Sequence, residues 1–280
     1  MSPSILKLHC PDAVGLLARV TGFIAGRGGN LLEVGQYTDP LSRWFFARLA
    51  FTGGGAASKE FCTDFGVVAA EMQAEWTLRP ADKPCRTVIL TSRQDHCLAD
   101  LLWRWRSKEL NIEIPCVISN HPSCRDIVER EGIEFLEWDF SDKKAAFERL
   151  ADLLRTHDPG LIVLARFMQI LPDALCEEFA GRIINIHHSF LPAFVGANPY
   201  RRAFERGVKL IGATCHYATC DLDEGPIIEQ EVARVEHYHV PDDLVRLGRD
   251  CERLALARGV RFHVEDRILV HGNRAIVFRD

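Results

Sequence analysis

Residues 185–192 read NIHHSFLP. An asparagine, two adjacent histidines and a serine follow the apolar GRII stretch, and Pro192 stops the segment. A strand that only buries an apolar face has no use for so many polar groups. Alternation along a strand puts Asn185 and His187 on one face and Ile186 and His188 on the other. A second polar group, HYATCDLDEGP at 216–226, follows another apolar run and sets Asp221, Asp223 and Glu224 before a Gly-Pro turn. A histidine beside a carboxylate is held in one tautomer, and its cationic form is favoured. An asparagine N–H beside it can meet a developing oxyanion. Asn185, His187 and Asp223 together would polarise a carbonyl, stabilise a negative oxygen and handle protons. That is the chemistry of acyl transfer or amide hydrolysis without a covalent nucleophile. Taken singly the same residues are ordinary: strand-end histidines are often solvated, and acid pairs before Gly-Pro often form turns.

These groups need a scaffold that brings two strand ends together. From RTVILTS (86–92) onward, apolar strands alternate with helical patterns. Helices are expected at about 95–107, 122–131, 142–157 and 172–179, between the strands IEIPCVISN, IEFLEWD, LIVLARF and RIINIHH. LIVLARF is a continuous apolar run, as in a strand covered on both faces. This βα alternation implies an α/β unit with a mostly parallel sheet, whose ligands sit at the carboxyl ends of the strands. NIHH is at such an end, and there His188 is expected to face away from the other two. After the helix PYRRAFERG, the runs KLIGATCHYAT and PIIEQEVARV are expected as antiparallel neighbours, with a helix over 241–258 and one or two terminal strands after it.

The first 80 residues differ. LKLHC, NLLEVGQYTD, RWFFARLAF and AEWTLRP read as strands, and LLARVTGFIAGRGG and KEFCTDFGVVAAEMQ as helices. The order β-α-β-β-α-β is ferredoxin-like. The expected organisation is therefore a domain over 1–80, a linker at 81–85 overlapping the Pro-bearing stretch RPADKP (79–84), and a second domain over 86–280.

Composition excludes several classes. The 280 residues are 47% hydrophobic and 26% charged, with net charge −5. That argues against a nucleic-acid partner, which needs a basic footprint. No apolar run reaches the length of a membrane span, and no secretory pattern opens the chain, so no membrane partner and a cytoplasmic location are expected. Ten cysteines show no C-x-x-C pair and read as small hydrophobic thiols.

Longer motifs narrow the field. NIHHSFLPAFVGANPY (185–200) and GVKLIGATCHYATCDLDEGPIIEQ (207–230) closely resemble the folate-dependent formyltransferase superfamily. That superfamily carries N-I-H-x-S-x-L-P-x-F-x-G and a histidine seven positions before D-x-G-P-I-I, as His216 stands before Asp223. Within it, HCLADLL (96–102), VISNH (117–121) and HGNRAIVF (271–278) are similar to the formyltetrahydrofolate deformylase family. CPDAVGLLARVTGFIAGRGGNL (10–31) resembles the opening of that family's N-terminal ACT domain. The segment after the first strand of the second domain, TSRQDHCLADLL, contains no glycine for a backbone phosphate seat, unlike the glycinamide ribonucleotide formyltransferases.

The resemblance implies an ACT domain followed by a Rossmann-like formyltransferase fold. It implies hydrolysis of 10-formyltetrahydrofolate to tetrahydrofolate and formate, supplying formate and balancing the one-carbon folate pool. The alternatives are formyl transfer to a small amine, or an amino-acid sensor without catalysis. The catalytic trio maps onto Asn185, His187 and Asp223. The segment LARFMQILP implicates Gln169, Ile170 and Leu171 at the pterin, and the loop with Thr219, Cys220 and Asp221 would close its other side. His216 would support the Asp223 loop. No cofactor or metal is implied, because the folate is the substrate. A zinc site of His187, His216 and Asp223 is chemically conceivable but foreign to that reaction. The ACT resemblance implies an amino-acid effector, glycine or methionine, near Asp12, Gly15 and Asn30, and a homo-oligomer. Asn198, Cys215 and Cys220 depart from the family's usual residues, as does the loop GGGAAS (53–58).

Overall fold

The computed structural model describes residues 2–56, 58–192 and 199–279. Asn198 and the loop-motif stretch 193–198 lie outside the described residues. The chain divides into two compact units. One holds the chain up to Lys83 together with Glu265–His271 and the residues from Ala275 onward; the other holds Pro84–Val264 and Gly272–Arg274.

The first unit runs β1 (Ser4–Pro11), α1 (Leu16–Gly26), β2 (Gly29–Asp39), β3 (Trp44–Gly53), α2 (Lys59–Glu71) and β4 (Glu75–Pro80). Its strands form an antiparallel sheet in the order β2-β3-β1-β4. Period-two alternation sends Leu6, Leu8, Phe45, Ala47, Leu49 and Phe51 to one face. There they meet Leu16, Val20 and Ile24 of α1 and Phe61, Phe65 and Ala69 of α2, spaced four apart on each helix. The Ser58 side chain caps α2 by accepting from the Phe61 N–H at 3.0 Å.

The second unit begins with β5 (Cys85–Thr91), α3 (His96–Arg106), β6 (Ile112–Glu113) and β7 (Cys116–Ser119). After α4 (Arg125–Glu129) come β8 (Glu134–Glu137), α5 (Lys143–His157), β9 (Leu161–Ala165), α6 (Asp173–Glu178) and β10 (Ile183–His187). The remainder is α7 (Pro199–Arg206), β11 (Leu210–Tyr217), β12 (Ile227–Arg234) and α8 (Pro241–Val264). The sheet order is β12-β11-β10-β9-β5-β7-β8, with β6 beside β5. The pairs from β8 through β10 are parallel, and β11 and β12 add antiparallel neighbours. From β5 the chain moves to β7 on one side and later to β9 on the other. That is the switch point where a crevice opens at the carboxyl ends of the strands.

Three local expectations change. The single strand IEIPCVISN is two, because Pro115 lacks the N–H a ladder needs. LIVLARF ends as a strand at Ala165, because Arg166 and Met168 take left-handed backbone with φ of 64° and 59°. The last long helix continues past Gly259 to Val264. A Cβ at Gly259 would lie 2.3 Å from Cys215 Sγ, so this glycine lets the helix approach β11 rather than ending it.

The terminal strands β13 (Ile268–His271) and β14 (Arg274–Val277) also differ from expectation. They pair with each other, and most of the segment belongs to the first unit instead of the domain expected over 86–280. The cause is the charge on the outer face of the first sheet. Asp266 pairs with Lys7 at 3.0 Å and Arg79 at 2.6 Å, and Arg48 donates to the carbonyls of Glu265 and Asp266, both at 3.1 Å. All ten cysteines are free thiols. Among the described residues no helix is long and apolar enough to cross a membrane.

Candidate active site

β10 and β11 run antiparallel with Asn185 opposite His216 and His187 opposite Thr214. Register therefore places these four side chains on one surface. His187 Nδ1 lies 3.1 Å from Asp223 Oδ1. His216 Nε2 lies 3.7 Å from the same oxygen and 3.2 Å from Asn185 Nδ2. His216 Nδ1 faces the Tyr217 carbonyl at 2.9 Å, which can only accept, so that nitrogen carries a proton. His187 Nε2 is buried with no protein partner. Burial works to raise the Asp223 carboxyl, but His187 and His216 together hold it well below the usual carboxylate range.

The supporting loops are tightly specified. Asp223 has φ of 59°, a left-handed conformation uncommon outside glycine. A Cβ at Gly225 would lie 1.8 Å from the Tyr217 carbonyl oxygen, so only glycine lets the Asp223 loop close onto β11. On the other side, Thr214 Oγ1 donates to the Ser189 carbonyl at 3.0 Å and accepts from the Leu191 N–H at 3.0 Å. Gln230 donates to the Leu191 carbonyl at 3.2 Å and to Thr214 Oγ1 at 3.0 Å. The chain leaving β10 is thus tied to β11 and β12.

A cleft of about 680 Å³ opens over these groups. Asn185, His187 and Asp223 line it, as do Gln169 and Ile170. Leu171 packs into the apolar core below. Leu222 lines the cleft, whereas Thr219, Cys220 and Asp221 sit in the preceding turn, outside the lining. His216 is buried behind the trio. His188 does not face away: β10 ends at His187, so alternation no longer applies, and His188 lines the same cleft with its ring 5.1 Å from that of His187. Burial, followed by the neighbouring Arg166 charge, lowers His188 to about 4, leaving it neutral at pH 7. In the first unit, Asp12 and Gly15 are exposed at the turn into α1, Gly15 with φ of 84°, and Asn30 is exposed on β2.

A second polar cluster lines the same cleft and was not singled out from sequence. Glu252 of α8 is 1% exposed. It accepts from Tyr200 at 2.7 Å, faces His96 Nε2 at 2.8 Å, and lies 3.4 Å from Arg166 Nε. Arg166 Nε donates to Gln94 Oε1 at 3.0 Å. Burial works to raise the Glu252 carboxyl, but His96, Arg166 and Tyr200 hold it low. A Cβ at Gly248 would lie 2.2 Å from Tyr200 Oη, so α8 carries a glycine where the tyrosine crosses it. The sequence signals were an arginine near the end of an apolar run and a histidine opening the helix after β5.

His96, Cys97 and Glu252 bring metal-ligating atoms within 4.8 Å of one another. They do not suit a cation: Glu252 is already shared among His96, Tyr200 and Arg166, and burial keeps the Cys97 thiol protonated. In the trio, the Asp223 oxygen facing both histidines already serves them directly.

Comparison with known proteins matches this architecture. The formyl transferase family pattern covers residues 85–260, and the ACT domain pattern covers 4–54. A formyltetrahydrofolate deformylase from Synechocystis is 47% identical over 98% of this chain and 97% of its own. The crystal structure of a formyltetrahydrofolate deformylase from Pseudomonas syringae superposes with a TM-score of 0.96 at 47% identity, covering 100% of this chain and 95% of that one. The structure of a glycinamide ribonucleotide transformylase from Symbiobacterium toebii gives a TM-score of 0.67 at 30% identity and covers only 70% of this chain. The transformylase thus leaves part of the molecule unmatched, whereas the deformylases account for both units. With an ACT unit, a formyltransferase-fold unit and near-complete coverage by such relatives, the chain belongs to the formyltetrahydrofolate deformylase family.

Proposed function

We propose that this protein hydrolyses 10-formyltetrahydrofolate to tetrahydrofolate and formate, and that Asn185, His187 and Asp223 carry the reaction. The observation that supports this most directly is the His187–Asp223 pair, with Nδ1 held at 3.1 Å and Nε2 left unpartnered at the cleft. Asp223 stays ionised, so it can orient the attacking water and hold the His187 ring through Nδ1. Water adds to the formyl carbon. The Asn185 N–H and His187 then stabilise the oxyanion that forms on the former carbonyl oxygen. Collapse breaks the carbon–N10 bond as His187, directly or through a water, delivers a proton to N10. Of the two protons water brings, one goes to N10 and the other leaves as formic acid ionises. No other co-reactant is needed.

His216, behind Asn185 and beside Asp223, supports the pair. Gln169, Ile170 and Leu171 carry the backbone that would hold the pterin, with the turn of Thr219, Cys220 and Asp221 on its far side. In the first unit, the exposed turn of Asp12 and Gly15 with Asn30 is the proposed seat of a glycine or methionine effector, and pairing of this unit would give a homo-oligomer. Formate supply and folate-pool balance are the proposed roles.

The test is formate release from 10-formyltetrahydrofolate with no amine present, wild type beside Asp223→Asn. Release that the substitution abolishes supports the reading. No release from folded wild type, or release diverted to an added amine acceptor, would overturn it.

A further inference from the structure

The mechanism leaves Arg166 without a task. It sits just past β9 at the cleft, 8% exposed, in a left-handed conformation with φ of 64°. Its Nε is committed to Gln94 and lies beside Glu252. Both oxygens of Glu252 are in turn engaged, one by Tyr200 and the other by His96. Arg166 Nη1 remains buried with no protein partner. A guanidinium N–H removed from water and left without an acceptor is strongly unfavourable, and native structures rarely keep one without a purpose. Among the described residues, His187 Nε2 is a second buried nitrogen without a protein partner on a residue that lines this cleft. Two such groups in one crevice suit a ligand with two acceptor atoms and a negative charge.

The chemistry supplies one. Hydrolysis converts a neutral formyl group into a carboxylate beside Asp223, which is itself held ionised. Two anions then share a partly buried cleft, where repulsion is poorly screened. A fixed guanidinium in that cleft offsets it and offers the geometry carboxylates prefer. We propose that Arg166 is the seat of a small carboxylate and that its natural occupant is the product formate. This rests on the hydrolytic reading above. Gln94, Tyr200, His96 and Glu252 are positioning groups that hold Arg166 in place. A carboxylate from the glutamate tail of the folate has the same chemistry and is the competing source.

The test titrates sodium formate into wild-type protein by calorimetry, against sodium chloride at equal ionic strength, in parallel with Arg166→Gln and Arg166→Lys. Saturable formate binding in wild type is expected, weakened about tenfold or more in Arg166→Gln and partly restored in Arg166→Lys. Formate inhibition of turnover should weaken in the same order. Wild-type protein that binds no formate overturns the proposal without recourse to a variant, as does equal binding by wild type and Arg166→Gln. KM is then compared for 10-formyltetrahydrofolate and its pteroate analogue lacking glutamate. A rise in KM in Arg166→Gln confined to the glutamate-bearing substrate, with formate binding unchanged, assigns Arg166 to the tail and overturns the formate seat. Formate release assayed on the same wild-type batch separates the two readings. Its absence defeats the hydrolase, whereas release without formate binding defeats only the Arg166 seat.

Discussion

Two polar clusters face one cleft and are held there by different means. Asn185, His187 and His216 stand on adjacent antiparallel strands, so the backbone ladder sets their positions before any side chain contributes. Arg166, Glu252, Tyr200, His96 and Gln94 come from loops and helices far apart in the chain, and their own hydrogen bonds hold them together. On the proposed mechanism, altering Asn185 should cost chemistry rather than stability. The second has two ionised groups that are 1% and 8% exposed, so removing one member leaves a buried charge uncompensated. Position enforced by backbone register leaves side chains free to react; position enforced by side chains makes them part of the fold.

The largest expected effect tests the first half of that contrast. Asn185→Ala should lower kcat by ~10²–10³-fold, roughly 3–4 kcal/mol of transition-state stabilisation, with unfolding free energy changed by less than about 1 kcal/mol. Steady-state kinetics beside urea denaturation checks both, and a large stability loss with kcat intact would reverse the contrast. Next, Glu252→Leu should destabilise the protein by about 3–5 kcal/mol, because Arg166 loses its buried counter-charge. A shift below ~1 kcal/mol in the same urea assay would show that the second cluster is not holding structure.

The pH dependence sharpens the picture. Burial lowers His188 to about 4 from 6.5. As pH falls below 6.5 the unfolded chain binds a proton that the folded chain refuses. The stability from this neutral ring is therefore complete above 6.5 and declines as pH drops toward 4, by about 3 kcal/mol as an upper figure. His188→Gln should flatten the stability profile between pH 6.5 and 4.5; an unchanged slope there would remove His188 as its cause. Asp223 and Glu252, both depressed, act with the same sign from their ordinary values of 3.8 and 4.5 downward, and His9, also lowered by burial, acts in the same window, so the flattening is partial. The smallest effect is expected from Tyr200→Phe, which deletes one hydrogen bond to a buried carboxylate and should cost about 1.5–3 kcal/mol less any relief from His96. Thermal unfolding checks it, and a neutral result would mean that Glu252 needs only its ionic partners.

Much of the Asn185, His187 and Asp223 side of the cleft was legible in the chain. Asn185 and His187 are two apart at a strand end, so alternation alone puts them together, and the D-x-G-P-I-I motif after His216 pointed to Asp223. His188 was misplaced because alternation stops where the strand stops, and nothing in NIHHS marks that residue. Arg166 looked like the penultimate residue of the apolar strand LIVLARF; its left-handed φ is a property of the folded loop. Glu252 looked like one acid among many on a long amphipathic helix. The terminal strands are four residues each, and so short a pattern carries no information about which sheet it will cover.

What the sequence by itself determined, then, is what depends on neighbours along the chain: helix and strand periodicity, the βαββαβ and βα orders, the spacing of Asn185 and His187, and the glycine before Pro226. What only the tertiary structure decided is which distant groups meet. His96 and Glu252 are 156 positions apart, and Asp266 reaches Lys7 of the first strand. Local pattern fixes which way a side chain faces within its own element, whereas a pairing across the chain exists only after the strand order has closed the distance. The second cluster and the docking of the C-terminal hairpin are of that kind, and so is the unpartnered face of Arg166.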